Sequence, residues 1–474
     1  MKTQCNEQLF TFQSQNRREI SATFDGGTIT TDGGALLLRE TERLTGIIAG
    51  FAKCFTDHRD PDLIEHTVEQ LIAQRIYALA LGYEDLNDHD TLRHDPLLAV
   101  LAGKDDPTGN DRIRERDKGK ALAGKSTLNR LELTPVRANS SSRYKKITIN
   151  RKMVDEFFVN VFIRSYDKAP ERIIIDLDAT DDTIHGEQSG RFFHGYYGNY
   201  CYLPLYIFCG EHLLCARLRP SDIDASAGSV KELERIISQI RQSWPDVRFI
   251  IRGDCGFCRE HIMYWCENNN VDYVFGLAKN ERLTVELAQE LMQAKEQYEQ
   301  TGKAARIFKD FTYQTIESWS RSRRVVGKAE HLDKGQNPRF VVTSLSNQRY
   351  DARCLYEQLY CGRGDMENRI KEQQLCLFAD RTSAATMRAN QLRLWFSSVA
   401  YTLMTALRRL GLKNTELATA RCDTIRLKLL KIGAQIRVTV RKVWVSLSQS
   451  WPYRDVFVMV YRQLQALRPV RLRC

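Results

Sequence analysis

No stretch of this 474-residue chain approaches the roughly 18 consecutive apolar residues of a membrane-spanning helix, which argues against an integral helical membrane protein. The segment MKTQCNEQLFTFQSQNRRE likewise lacks the apolar core of a signal peptide, so a cytoplasmic location is expected. The 13 cysteines, odd in number and scattered from Cys5 to Cys474, outline no disulfide framework and read as reduced thiols. Internal repeats and low-complexity blocks are also missing, so a solenoid or a disordered array is not indicated. Acidic residues are scarce in one place only. From Arg381 to Cys474, 18 Lys or Arg face just Glu416, Asp423 and Asp455, whereas residues 1–380 hold 52 basic and 56 acidic side chains. The net charge of +11 is therefore concentrated at one end, an electrostatic footprint for a polyanion.

What is present is enough for several cores. At 43% hydrophobic residues the chain can fill about three domains of roughly 150 residues each. Residues 1–150 read as a mainly helical region, expected to bind the DNA ends, with two Gly-Gly turns in FDGGTITTDGGALLLRE, a helix from Leu36, and a second helix started by Pro61 and ending at Gly82. Polar residues 103–150 mark its boundary. Over 151–282 short apolar runs predict strands at 172–178, 201–209, 213–218, 247–252 and 271–277, with helices at 228–242 and 259–268. That order fits an α/β mixed sheet flanked by helices. Residues 283–350 read as a helix at 283–299 followed by three strands. Residues 351–412 read as two helices, at 353–377 and 384–410. The basic region 413–474 shows one alternating strand, AQIRVTVRKVWVSL, with Ile436, Val438, Val440 and Val443 on one side, then a helix at 453–467.

Three acids stand in contrasting settings: Asp178 closes ERIIIDLD, Asp254 closes RFIIRGD, and Glu367 lies in the charged helical stretch LYCGRGDMENRIKE. Carboxylates at two strand ends and on a later helix can converge on a divalent metal pair, which suggests phosphodiester chemistry. Asp176 and Asp178 project from one strand face, so either can be the first ligand. Tyr360, Arg363 and Glu367 fall at i, i+3 and i+7, where Arg363 can hold a phosphate while Glu367 binds metal. Two other patterns compete. GKALAGKS at 119–126 matches a phosphate loop, with Lys125 and Ser126 as ligands, but it follows no apolar strand and meets Pro135 nine residues later. Cys255, Cys258, His261 and Cys266 would suit a zinc-dependent nucleic-acid binder without catalysis, although the spacing is short and three of them fall on one predicted helix.

Together the acidic segments resemble the DDE transposases of bacterial insertion sequences. Asp178-Ala179-Thr180 matches their D-x-T signature, Asp254 in RGDCGF their second acid, and Tyr360, Arg363 and Glu367 their Tyr-x2-Arg-x3-Glu-x6-Lys signature. Gln374 stands where the Lys is expected, with Lys371 one turn from Glu367 as its substitute. TTDGGALLLRE, DHRDPDLIEHTVEQ, RFFHGYYGNYCYLPL, RTSAATMRANQLRLWFSSVAYTLM and WPYRDVF are similar to the group called thirteen-eighty, and the likeness covers nearly the whole chain. The resemblance implies a ribonuclease-H-like core with a β-rich insertion before the Glu helix, and catalysis at Asp178, Asp254 and Glu367 on two Mg²⁺ or Mn²⁺ ions. It also implies binding of terminal inverted repeats and target DNA, a homodimer assembled on DNA, and strand transfer by the freed 3′-hydroxyl. Expected DNA contacts are Tyr360, Arg363, Lys371, Arg437, Arg441 and Lys442, with Trp319, crowded by three arginines, stacking an unpaired base.

Overall fold

The computed structural model describes residues 9–467. Cys5, Cys474, Arg468, Arg471 and Arg473, which enter the cysteine and charge readings, lie outside them. The chain divides into two compact units, Asn150–Ser398 and Met1–Ile149 with Val399–Cys474.

The Asn150–Ser398 unit is organised by a mixed sheet. Its main strands are β1 (Arg172–Ala179), β2 (Leu205–Cys209), β3 (His212–Arg217), β4 (Arg248–Gly253), β5 (Asp272–Leu277), β6 (Ala305–Tyr313), β7 (Arg323–Leu332) and β8 (Arg339–Thr343), in the spatial order β3-β2-β1-β4-β5-β8-β7-β6. β1, β4 and β5 run parallel, and the outer pairings are antiparallel. Continuous apolar runs form the central strands because both faces are covered. Ile173, Ile175 and Leu177 pack into the same core as Ile236, Ile237 and Ile240 of helix α1 (Ser229–Ser243) and Ile262, Met263 and Cys266 of α2 (Glu260–Asn268). The alternate residues Ile174, Ile250 and Val274 pack with Leu355, Tyr356 and Leu359 on the other side. Successive side chains of a strand point to opposite faces, so Asp176 and Asp178 share this second side. The result is a mixed α/β architecture compatible with a ribonuclease-H-like fold.

Three sequence expectations change here. The strand expected at 201–209 is two: Asn199–Tyr202 joins a small sheet with Asp182–Thr183 and Phe192–His194, and only Leu205–Cys209 enters the main sheet. Pro204 between them has no N–H to continue a ladder. The helix at 283–299 breaks at Leu287 into Glu281–Glu286 and Ala288–Thr301. The three strands expected between the last core strand and the Glu helix are present as β6, β7 and β8, and they extend the main sheet. β8 pairs with β5 and carries β7 and β6 outward, which covers the edge that β5 would otherwise expose. Finally, the continuous helix expected over 353–377 is a π-helical turn at Leu355–Tyr360, a 3₁₀ turn at Cys361–Arg363 and an α-helix, α3 (Gly364–Leu377). Arg252 Nη1 donates to the Leu359 carbonyl at 2.5 Å, and a Cβ on Gly362 would lie 2.6 Å from the same nitrogen. The buried guanidinium and the loosened turn thus fit each other.

The second unit contains both ends of the sequence. Helix Leu36–Thr45 starts where the Gly-Gly turn predicts, and a Cβ on Gly34 would fall 1.9 Å from the Leu429 carbonyl oxygen, so this close approach requires glycine. Pro61 opens only a short 3₁₀ turn. The long helix Val68–Ala80 instead begins at Thr67, which forms a reciprocal capping box with Gln70. An exposed hairpin, Phe10–Gln15 with Arg18–Ala22, precedes the helices of this region. The single strand expected in AQIRVTVRKVWVSL is a hairpin, Ala434–Thr439 with Lys442–Leu447. Val440 stands fully exposed at its tip while Ile436, Val438, Val443 and Val445 pack with Leu97. The outer face carries Arg437 and Lys442, both over the Trp444 ring, and Arg441 is exposed at the turn. No helix among the described residues is long and apolar enough to cross a membrane.

Candidate active site

The parallel strands β1 and β4 set the geometry. In their register Arg252 faces Asp176 and Gly253 faces Leu177, so the next residue, Asp254, emerges beside Asp178 at the carboxyl edge of the sheet. Open α/β sheets bind ligands outside such strand ends. Asp254 shapes its own turn, accepting from the Gly256 amide through Oδ1 at 2.8 Å. The Glu helix supplies the remainder. Arg363 Nη2 lies 2.8 Å from Glu367 Oε1, and its Nη1 lies 3.7 Å from Asp178 Oδ2. Tyr360 joins through Gly276 of β5, where a Cβ would sit 2.5 Å from the Tyr360 hydroxyl and 3.0 Å from the Cys255 amide nitrogen. Glycine therefore lets the tyrosine reach the turn that holds Asp254.

The electrostatics are those of crowded acids with one nearby cation. Burial, offset in part by Arg363 and reinforced by Asp254 and Glu367, raises the Asp178 carboxyl to about 7. Burial opposes the charge of Arg363, yet Asp178, Tyr360, Glu367 and Asp254 outweigh it and hold that guanidinium above its usual range. Burial raises the Tyr360 hydroxyl in the same way. Such perturbation at a sheet edge marks a functional-site candidate. The donor chemistry fits a hard divalent ion, since carboxylate oxygens suit Mg²⁺ or Mn²⁺. The side chains are not drawn into a chelating cluster: among the described residues no three His, Cys, Asp or Glu groups are arranged to hold an ion. Arg363 instead bridges Asp178 and Glu367.

Asp176 has a different occupation. Its two oxygens accept from Arg252 Nε at 2.6 Å and Nη2 at 2.8 Å, and the pair is buried. The sequence reading assigned Arg252 no role, although a charge inside the apolar run RFIIRG was a signal for it. Tyr197 was also missed. Its hydroxyl donates to the Ala179 carbonyl at 3.3 Å, beside Asp178. Gln374, standing at the expected Lys position, donates to the Asp182 carboxyl at 3.0 Å and to the Asp181 carbonyl at 3.2 Å. Burial raises Asp182 to about 8. An amide can donate to that carboxyl in either protonation state, and Lys371 is exposed on the same helix.

Trp319 requires a correction. It is only 7% exposed, lies edge-on to Tyr313 in the main core, and has Arg323 over its ring. The arginines around it are already matched by acids: Arg321 pairs with Glu267, Arg323 with Glu260 and Glu267, and Arg324 with Asp310. Neither an open ring face nor a free phosphate-binding patch is present there. The competing motifs also separate. Cys266 is buried and Cys258 packs against the core, while Cys255 and His261 are exposed, so the four do not converge. Lys125 opens helix Lys125–Glu132 without a preceding strand, and its amine lies 3.3 Å from Asp90 and 3.1 Å from Asn87.

A search of curated proteins finds no match. The family model described as transposase DDE domain group 1 matches residues 12–469, nearly the whole chain. The chain therefore belongs to the DDE transposases, the family of metal-dependent enzymes that move DNA by recombination.

Proposed function

We propose that this transposase binds the terminal inverted repeats of a mobile element, cleaves the DNA there, and transfers the freed 3′-OH strand to target DNA. Asp178, Asp254 and Glu367 would hold two Mg²⁺ or Mn²⁺ ions, which would supply activation of the attacking oxygen and stabilisation of the leaving one. The observation that carries this reading is the gathering of carboxylates at two parallel strand ends and on a separate helix around the half-buried Arg363, which lies near Asp178 and Glu367 and feels the charge of Asp254. Arg363 neutralises the acids until substrate arrives and then holds a phosphate oxygen, a role its fork of N–H donors suits. Tyr360 and Tyr197 flank the cluster and position the backbone of the substrate. Asp176 stays paired with Arg252 and keeps β1, β4 and the π-helical turn in register. Lys371 and the exposed Arg437, Arg441 and Lys442 contact DNA phosphates, and the enzyme acts as a homodimer on DNA.

The test is cleavage of a duplex carrying one end of the element by purified Asp254→Asn and Glu367→Gln variants. Both are expected to lose Mg²⁺-dependent cleavage while DNA binding persists. Cleavage at the normal rate by either variant rejects the assignment.

A further inference from the structure

The unit that contains both chain ends holds an open cleft of about 480 Å³ whose lining is dominated by basic side chains. They come from separate stretches of sequence, and their partners divide them into two sets. Arg59, Arg112 and Arg116 are matched by Asp57, Glu65 and Asp117. Among the described residues no carboxylate lies within ion-pair distance of Arg93, Arg114, Arg130 or Lys146, although the Lys146 amine donates to the Ser140 carbonyl at 2.5 Å. The Arg93 Nε is buried and donates to nothing, and Arg130 rests over the Tyr144 ring at 5.0 Å. The lining acids Glu65 and Asp117 are taken by Arg112 and Arg116, and Asp90 by Lys125. His66, also in the lining, is driven by burial to about 3, so it stays neutral and adds no further positive charge. A concave surface with four cations unmatched by carboxylates attracts an anion.

We propose that this cleft is a phosphodiester-binding site for double-stranded DNA, held by Arg93, Arg114, Arg130 and Lys146. The inference rests on the transposase reading and adds a binding site distinct from the acidic cluster and from the hairpin bearing Arg437, Arg441 and Lys442. A DNA backbone fits better than a single small anion because the four charges come from four segments and outnumber what one phosphate neutralises. Arginine predominates, and its planar donors match phosphate oxygens. The motif GKALAGKS places Gly124 and Ser126 in this lining, so its likeness to a phosphate loop has a physical counterpart without ATP chemistry.

Fluorescence anisotropy with a labelled random-sequence 30-base-pair duplex, over a NaCl series and with the full chain, tests it. The triple variant Arg93→Gln/Arg114→Gln/Arg130→Gln is expected to lower the slope of log affinity against log salt by about 2.7, at roughly 0.9 per lost phosphate contact. Arg114→Gln alone, at an exposed position where folding is not at risk, is expected to lower it by about 0.9. An unchanged slope in the single variant, or in a triple variant with wild-type melting temperature, overturns the proposal. Competition with ATP and with inorganic phosphate separates the sources of phosphate. If either displaces the duplex at micromolar concentration from the wild type only, the cleft is a small-anion site and the DNA assignment fails. Binding is read in EDTA, without cleavage, whereas the catalytic reading is tested by Mg²⁺-dependent cleavage, so a failure of the cleft and a failure of the catalytic reading give different results.

Discussion

Asp178→Asn should make the metal-free protein more stable at neutral pH while removing its catalytic activity. In the fold, burial and the neighbouring Asp254 and Glu367 lift this carboxyl from 3.8 to about 7. Below pH 3.8 both folded and unfolded chains carry the proton, and the residue contributes no pH dependence. Between the two values the unfolded chain has lost its proton while the folded chain retains it, so stability falls as pH rises. At ~1.4 kcal/mol for each intervening pH unit, the destabilisation reaches a ceiling of about 4 kcal/mol above pH 7. Asparagine never ionises and escapes this loss. Removing the 3.7 Å contact with Arg363 trims the gain, but Arg363 keeps Glu367 at 2.8 Å. Urea unfolding in EDTA at pH 4, 5.5 and 8 should show the two proteins nearly equal at pH 4 and the variant ahead at pH 8. Added Mg²⁺ should stabilise the wild type more than the variant at pH 8, because only the native state of the wild type presents all three carboxylates. A variant less stable than wild type at pH 8, or a gap of the same size at every pH, would refute the electrostatic account.

Asp176→Asn leaves the buried Arg252 without its counter-ion and should cost about 3–5 kcal/mol, read from the urea midpoint; an unchanged midpoint removes Asp176 from its structural role. Trp319→Ala should lose about 3–5 kcal/mol of stability from the main core with no change in the salt dependence of DNA binding. A variant with normal stability and weakened DNA binding would restore the stacking role. Substituting Arg437, Arg441 and Lys442 by Gln should flatten the salt dependence by roughly 0.9 per lost contact without lowering the melting temperature, since all three are exposed. Retention of the full slope takes that hairpin out of the DNA interface.

Much of the central sheet was legible because its signals are local. ERIIIDLD, RFIIRG and DYVFGL are short apolar runs bounded by turn residues, and they form β1, β4 and β5. The helix Ser229–Ser243 follows from Leu233, Ile236, Ile237 and Ile240 at helical spacing. Sequence also singled out the three acids as candidates, since each lies in a D-x-T, strand-end or Tyr-Arg-Glu setting that reads without a partner. Other features depended on residues far apart in sequence. Asp176 and Asp178 are equivalent by strand periodicity, and only Arg252, 76 residues away, pairs with the first. The π-helical turn before Glu367 reads as ordinary helix until Arg252 reaches the Leu359 carbonyl across 107 residues. The hairpin at Val440–Arg441 reads as one strand because alternation continues through its turn, and only cross-strand pairing folds it back. Trp319 looks basic and exposed in ESWSRSRR, yet Glu260, Glu267 and Asp310 take up the arginines around it and the sheet buries the ring. Apolar periodicity and turn chemistry act over a few residues, whereas burial and ion pairing depend on which distant segments the fold brings into contact.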